Sequence, residues 1–77
     1  MAEKNAVWIV YDGRAIFGDT DDAAVLESFG YPDCKNDEDA KRQARRMWKG
    51  HEFALYRYDL NEKREAHNER LILAHQI

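Results

Sequence analysis

The chain has 77 residues, of which 44% are hydrophobic and 35% charged. This balance is typical of one small folded domain, residues 1–77, and excludes a disordered chain. Its single cysteine, Cys34, excludes an intramolecular disulfide. The apolar run before Asp12 is too short for a signal-peptide core or a membrane span. We therefore expect a soluble cytoplasmic protein.

The net charge of −3 conceals two oppositely charged parts. Residues 12–39 contain nine acidic and two basic side chains, a charge of about −7, whereas residues 41–77 contain nine basic and five acidic side chains, about +4. Such a field steers charged partners or aligns two copies within about 8 Å at physiological salt. An ordinary solvated surface is the simpler explanation.

Residues 6–11 form the first predicted strand, because β-branched and aromatic side chains dominate them. Alternation gives the strand two apolar faces, one with Val7, Ile9 and Tyr11 and the other with Trp8 and Val10. The Asp12-Gly13 pair that follows is a strong hairpin signal, so we predict that residues 14–17 are the returning arm. An acidic turn then occupies residues 18–22.

Residues 23–31 fit two structures. A short helix over residues 20–29 is favoured slightly by the local pattern, with Asp19 or Thr20 as its cap and Gly30 as its stop. A strand is the alternative, although its alternation of polar and apolar residues is poor.

Residues 36–50 carry the strongest helix signals in the chain. Asn36 is a predicted N-cap, three carboxylates follow in the first turn, and Gly50 is predicted to end the helix as a C′ glycine. Helical spacing places apolar side chains on one face, namely Ala40, Ala44, Met47 and Trp48. The opposite face is a predicted basic stripe of Lys41, Arg42, Arg45, Arg46 and Lys49.

Two further strands are predicted after the helix, over residues 52–60 and 71–77, with a polar connection at residues 61–68. In the first, Phe53 and Leu55 face one way, and Ala54, Tyr56, Tyr58 and Leu60 the other. In the last, Leu71, Leu73 and Ile77 face opposite to Ile72 and Ala74. The predicted core combines both halves of the chain and comprises Ile9, Ala44, Met47, Trp48, Phe53, Leu55 and Leu73.

Four segments, WIVYDGRA, GDTDDAAVLE, LYRYD and NER, with the helix between the second and third, resemble small open reading frames of bacteriophages and prophages. That group carries no activity known to us. The resemblance implies that DDAAVLESF, residues 21–29, is a strand entering the loop before the helix. We therefore expect an α+β fold, a small antiparallel sheet of about four strands with one amphipathic helix packed on it (ββαββ). A second short helix at residues 20–29 remains the alternative.

Catalytic and metal-binding patterns are weak. Asp19, Asp21 and Asp22 are spaced as in a calcium loop, but the glycine and the glutamate that such a loop needs are missing. Asp33, Asp39 and Lys41 resemble a PD-(D/E)XK nuclease site only superficially, because the predicted helix would carry the last two.

The soft metal ligands, His51, His67, His75 and Cys34, form no zinc-binding spacing, and Cys34 has no base placed beside it. We therefore expect no enzyme activity, no cofactor and no metal.

Two functions fit the sequence. One helix covers only one face of a four-stranded sheet, so either Trp8 and Val10, or Val7, Ile9 and Tyr11, should be left as an apolar patch. This geometry predicts a protein-interaction module that pairs with itself, as a homodimer, or with a host protein that a phage factor modulates. The candidate contact residues are Trp8, the acidic Asp19, Asp21 and Asp22, and the basic stripe. The alternative is nucleic-acid binding by the basic face of the helix at residues 36–50, with Arg57, Arg64 and Arg70 adding charge and Tyr56 or Tyr58 stacking on bases.

Overall fold

Residues 3–77, described by a computed structural model, form four β-strands, one α-helix and a 3₁₀ helix. In chain order the elements are β1 (Ala6–Asp12), the 3₁₀ helix (Gly13–Phe17), β2 (Val25–Gly30), α1 (Asp37–Trp48), β3 (Phe53–Leu60) and β4 (Ala66–His75). The strands make one antiparallel sheet in the order β2-β1-β3-β4. This architecture confirms the predicted α+β class and the ββαββ order.

Helix α1 begins as predicted and ends differently. The Asn36 side chain accepts the Asp39 N–H at 2.8 Å, and three carboxylates occupy the first turn near the positive end of the helix dipole. At the other end Lys49 is still right-handed. Gly50 is not left-handed, so its predicted role as a C′ glycine is wrong; among the described glycines Gly18 has the positive φ, 91°.

The face of the sheet that packs on α1 holds the main core. Ala40 and Ala44 are fully buried, and their small side chains let the helix lie close to the strands. The large apolar side chains of the strands face these two alanines, together with Cys34 from the loop before the helix. The buried cluster comprises Ala6, Trp8, Val10, Phe29, Cys34, Ala40, Ala44, Phe53 and Leu55.

The opposite side of the sheet, called the open face below, is covered at one end by the 3₁₀ helix. Residues 14–17 were predicted to be a strand, which is wrong. Asp12 caps the helix through an N–H of Arg14 and also accepts the Ala24 N–H, so the chain turns across the open face. A second cluster forms beneath it, from Tyr11, Ala15, Ala54 and Tyr56.

Residues 25–30 are a strand, as the resemblance implied, and the alternative helix at residues 20–29 is wrong. β2 pairs along β1, with Trp8 opposite Phe29, and Phe29 is buried beneath α1. The polar and apolar residues of β2 alternate poorly because the strand is irregular. Val10 pairs with Glu27 but its neighbour Tyr11 pairs with Val25, so the register with β1 shifts by one residue there.

Two predictions on the last strand and one on the core are corrected. β4 starts at Ala66 rather than residue 71, and an irregularity near Ile72 turns Leu71 towards the open face but Leu73 towards α1. Leu71 and Leu73 were predicted to lie on the same face of the sheet, and that prediction is wrong. Met47 is 43% exposed, so it does not belong to the core, while Ile9, Trp48 and Leu73 are only half-buried.

Candidate interaction surfaces

The basic side chains of α1 do not act as one free stripe. Lys41 is half-buried and lies 3.4 Å from Glu38, and Arg42 pairs with Asp39 one turn earlier. Arg45, Arg46 and Lys49 are exposed, and within residues 3–77 no salt bridge engages them. Three cations, rather than five, are thus available to a partner.

The other groups expected to support nucleic-acid binding lie elsewhere. Tyr56 is buried and Tyr58 half-buried, and both side chains are on the open face, across the sheet from α1. Stacking on bases beside the basic helix is therefore excluded by position. Arg70 is partly occupied, since its guanidinium lies 3.4 Å from Asp59.

Arg57 is held in a half-buried ion cluster. Its guanidinium contacts Glu3 at 2.7 Å, Asp37 at 3.0 Å and Asp59 at 3.1 Å. Burial opposes the charge of Arg57, but hydrogen bonds to these carboxylates outweigh it and raise the pKa of the guanidinium. The cluster ties the start of α1 to β3, so Arg57 is a structural group and not a free ligand.

Trp8, an expected contact residue, is fully buried under α1. Its indole N–H donates to Asp37 Oδ1 at 2.8 Å, and the Arg57 guanidinium lies 5.8 Å from its ring centre. Trp8 is therefore unavailable to a partner, and that expectation is wrong. Of the two ways in which the sheet was expected to orient, the one that directs Val7, Ile9 and Tyr11 away from α1 is correct.

Residues 13–24, called the strap below, cross the open face and carry the predicted acidic residues. Asp19, Asp21 and Asp22 are all exposed. Asp19 Oδ1 accepts the Asp22 N–H at 3.2 Å, so this carboxylate shapes the turn. Among the described residues no group of three His, Cys, Asp or Glu side chains is arranged to hold a metal ion.

Hydrogen bonds fasten the strap to the sheet. The Tyr56 hydroxyl donates to the Ala15 carbonyl at 2.7 Å, in a buried position, and Thr20 Oγ1 approaches Glu69 at 3.5 Å. The two oxygens of Asp12 accept N–H groups from the two ends of the strap. These hydrogen bonds hold the pKa of Asp12 below its usual range.

A chain of hydroxyl groups runs beside the strap. Tyr58 donates to Glu69 Oε2 at 2.7 Å, which leaves Tyr11 as the donor in its 2.7 Å contact with Tyr58. Burial, followed by these two hydrogen bonds, raises the pKa of Tyr58, so it stays neutral. The chain links β1, β3 and β4 across the open face and fixes the position of Tyr58.

The open face thus has two unlike halves. The strap covers Tyr11, Ala54 and Tyr56 and carries Phe17, which is 83% exposed. Ile9 and Tyr58 are half-buried and pack against the covered cluster. Two half-buried apolar side chains at the other end of the strands lie outside that cluster, called the bare patch below: Val7 and Leu60.

Sequence reasoning identified Val7 and Ile9 as candidates for an uncovered face but did not identify Phe17 or Leu60 as candidates for contact with a partner. The signal for Phe17 was its place beside Gly18 and four acidic or hydroxyl residues, where a large aromatic ring has no obvious local contact.

The one cysteine offers little chemistry. Cys34 is buried, and burial raises the pKa of its thiol to about 11, so the reactive thiolate is scarce at neutral pH.

None of the helices in residues 3–77 is long and apolar enough to cross a membrane. Comparison of the chain with protein-family models, with curated proteins and with solved structures found no match.

Proposed function

We propose that this protein is a small, non-catalytic interaction module that binds another protein surface through its open face. The observation that carries the proposal is that the open face leaves apolar side chains in contact with solvent, namely Phe17, 83% exposed on the strap, and the half-buried Val7 and Leu60 at the other end of the strands. Solvent-facing apolar side chains that are contiguous and rimmed by polar groups are typical of protein interfaces. Here the rim is supplied by the acidic strap and by Glu69.

The resemblance to phage and prophage reading frames supports a role as an accessory factor that modulates a host protein. Such factors act by occupying a surface, which requires exposed contact residues and no reaction centre. Phe17 meets that requirement, because its ring is exposed on a strap that is fixed to the sheet. The Asp12 carboxylate accepts N–H groups of Arg14 and Ala24, and the Tyr56 hydroxyl donates to the Ala15 carbonyl.

The test compares two double variants in affinity capture from the native host, with and without nuclease. Val7→Thr with Leu60→Gln makes the bare patch polar without removing good strand-forming character at the first position. Arg45→Glu with Arg46→Glu reverses charge on α1 and should leave folding nearly intact, because both residues are exposed and form no salt bridge within residues 3–77. We expect the first variant to lose the captured protein and the second to keep it, with nuclease having no effect.

Nucleic-acid binding by α1 is the second candidate, favoured by the exposed Arg45, Arg46 and Lys49. This candidate predicts the reverse result: the captured protein should be lost with the helix variant and also after nuclease treatment. Each phosphate contact removed should also flatten the salt dependence of binding by about one unit of slope. Capture that neither double variant changes would refute both candidates.

A further inference from the structure

The strap is a closed loop whose two ends meet at Asp12. The Asp12 N–H donates to the Ala24 carbonyl at 2.9 Å, and the Asp12 carboxylate accepts the Ala24 N–H at 3.1 Å. The same carboxylate accepts the Arg14 N–H at 3.0 Å, at the start of the 3₁₀ helix. Compact loops with joined ends are a recurrent class of surface segment. The middle of the strap can therefore leave the sheet while its base, and the pairing of β1 with β2, stay in place.

Few apolar side chains hold the strap on the sheet. Within residues 13–24, Ala15 is fully buried, Ile16 and Ala23 are half-buried, and Phe17 is 83% exposed. The apolar area that the strap buries is thus small beside that of the core under α1. Segments with few buried apolar contacts open at a lower free energy than the whole domain.

One hydrogen bond is the main attachment of the strap. The Tyr56 hydroxyl donates to the Ala15 carbonyl at 2.7 Å, in a buried position. The same oxygen accepts the Gly18 N–H at 3.1 Å, so the bond from β3 meets the turn of the strap at a single atom. The contact of Thr20 with Glu69 is longer, at 3.5 Å, and exposed. Tyr56 is therefore placed to decide how firmly the strap is held.

We propose that the strap is a lid, which opens about its base at Asp12 and is held closed by the Tyr56 hydroxyl as a latch. In the closed form this half of the open face presents the acidic side chains of the strap and the ring of Phe17. The open form uncovers Tyr11, Ala54 and Tyr56. Opening thus exchanges an acidic surface for an aromatic one.

The surface under the lid keeps its order without the strap. The Tyr11 and Tyr56 rings pack edge to face, with centroids 5.5 Å apart. The Tyr11 hydroxyl is fixed by Tyr58, which in turn donates to Glu69 at 2.7 Å. These groups all belong to β1, β3 and β4, which pair with one another in the sheet. Opening therefore exposes a preformed surface and does not unfold the sheet.

Native-state hydrogen exchange in increasing urea, followed by NMR, tests the lid in the parent chain. The Gly18 and Asp22 amides are hydrogen-bonded within the closed strap, and so short a helical segment loses these bonds in water once it leaves the sheet. They should exchange through an opening that urea hardly affects, because little surface is exposed. Amides of β1 and β3 should exchange more than about 10-fold more slowly, with the full urea dependence of unfolding.

Two results in the parent chain would overturn the lid. Strap amides that share the free energy and the urea dependence of the strands would show that the strap opens only when the domain unfolds. Strap amides that exchange without any protection would show that there is no closed form.

The latch is tested by Tyr56→Phe, which removes the hydroxyl that bonds the strap. Exchange of the strap amides should become roughly 5-fold faster, as expected for the net loss of one buried hydrogen bond. Tyr58→Phe is the matched control on the same strand and face, because its hydroxyl bonds Glu69 and Tyr11 and not the strap, and strap exchange should keep the parent rate. No acceleration by Tyr56→Phe, or equal acceleration by both variants, would overturn the latch.

Thiol labelling tests whether opening uncovers the sheet. Ala54 is fully buried beneath the strap, so Ala54→Cys should react with a thiol reagent in the native protein, faster with Tyr56→Phe and not with Tyr58→Phe. Cys34, buried under α1, is the internal control and should stay unlabelled over the same time. Reaction at both positions only after urea unfolds the chain would overturn the lid. All of these measurements use the chain alone, so they succeed or fail independently of the capture experiment.

Discussion

The two tryptophans differ in the partner of the indole N–H and in burial, and a double-mutant cycle separates the two effects. The Trp8 indole N–H donates to Asp37 Oδ1 at 2.8 Å. The Trp48 indole N–H is buried and has no hydrogen-bond partner within residues 3–77. Replacement of either by phenylalanine removes the same atoms, so the difference between the two losses combines the fate of the N–H group with the difference in packing.

We expect Trp8→Phe to cost more. A hydrogen bond to a charged acceptor contributes about 1.5–3 kcal/mol, and the fully buried Trp8 also loses more packing than the half-buried Trp48. Trp48→Phe removes a buried N–H that is already unsatisfied, which offsets part of its packing loss. The estimates are about 3 kcal/mol for Trp8→Phe and about 1 kcal/mol for Trp48→Phe, within the roughly 4–12 kcal/mol that a chain of this size has available.

Urea unfolding followed by far-ultraviolet circular dichroism measures both free energies, since fluorescence changes when a tryptophan is removed. Asp37→Asn combined with each variant completes a double-mutant cycle, in which coupling should appear with Trp8 and not with Trp48. Equal losses for the two phenylalanine variants, or a larger loss at Trp48, would refute the assignment of the hydrogen bond.

Three further predictions concern single groups. Burial opposes the charge of Asp37, but hydrogen bonds from Trp8 and Arg57 lower its pKa in the folded state. The stability that this carboxylate provides is therefore present above about pH 4 and is lost as pH falls through the folded pKa. Asp37→Asn should weaken this loss of stability at acid pH, which unfolding measured at several pH values tests. Cys34, with its pKa raised to about 11, should alkylate slowly at about pH 8 and rapidly once urea unfolds the chain, and fast labelling of the native protein would contradict its burial. Gly18→Ala should cost about 1–2 kcal/mol, because its φ is 91° and not because of any clash, and the faster hydrogen exchange that follows should be confined to the strap.

The parts of the fold with strong local signals were predictable. Asn36 followed by three acids fixes the start of α1 whatever the rest of the chain does, and the alternation of β3 between Phe53, Ala54 and Leu55 survives intact in the structure. Both signals depend on neighbours within one turn or two residues. Helix and strand periodicity are reliable where that is so.

The errors arose where distant contacts decide the local structure. The Asp12-Gly13 pair signals a hairpin, but Asp12 instead binds N–H groups of Arg14 and Ala24, the second of which is twelve residues away. Likewise helical spacing predicts Met47 in the core, but the sheet covers only the part of α1 around Ala40 and Ala44, and Met47 is 43% exposed. The open face was foreseen from the shortage of covering elements, but its division by the strap was not, because the strap has no periodic pattern.

The strand order has a consequence for the way the chain folds. β1 lies between β2 and β3, and its pairing with β3 joins Ala6 to Asp59 across most of the sequence. Closing so large a loop is entropically costly, so folding should be slow for a domain of this length. During synthesis β1 emerges first but waits for β3 and for α1 before Trp8 is covered. Until then its apolar residues and one unpaired edge are exposed to other chains, and the growing polypeptide should be most prone to aggregate just before residue 60 leaves the ribosome.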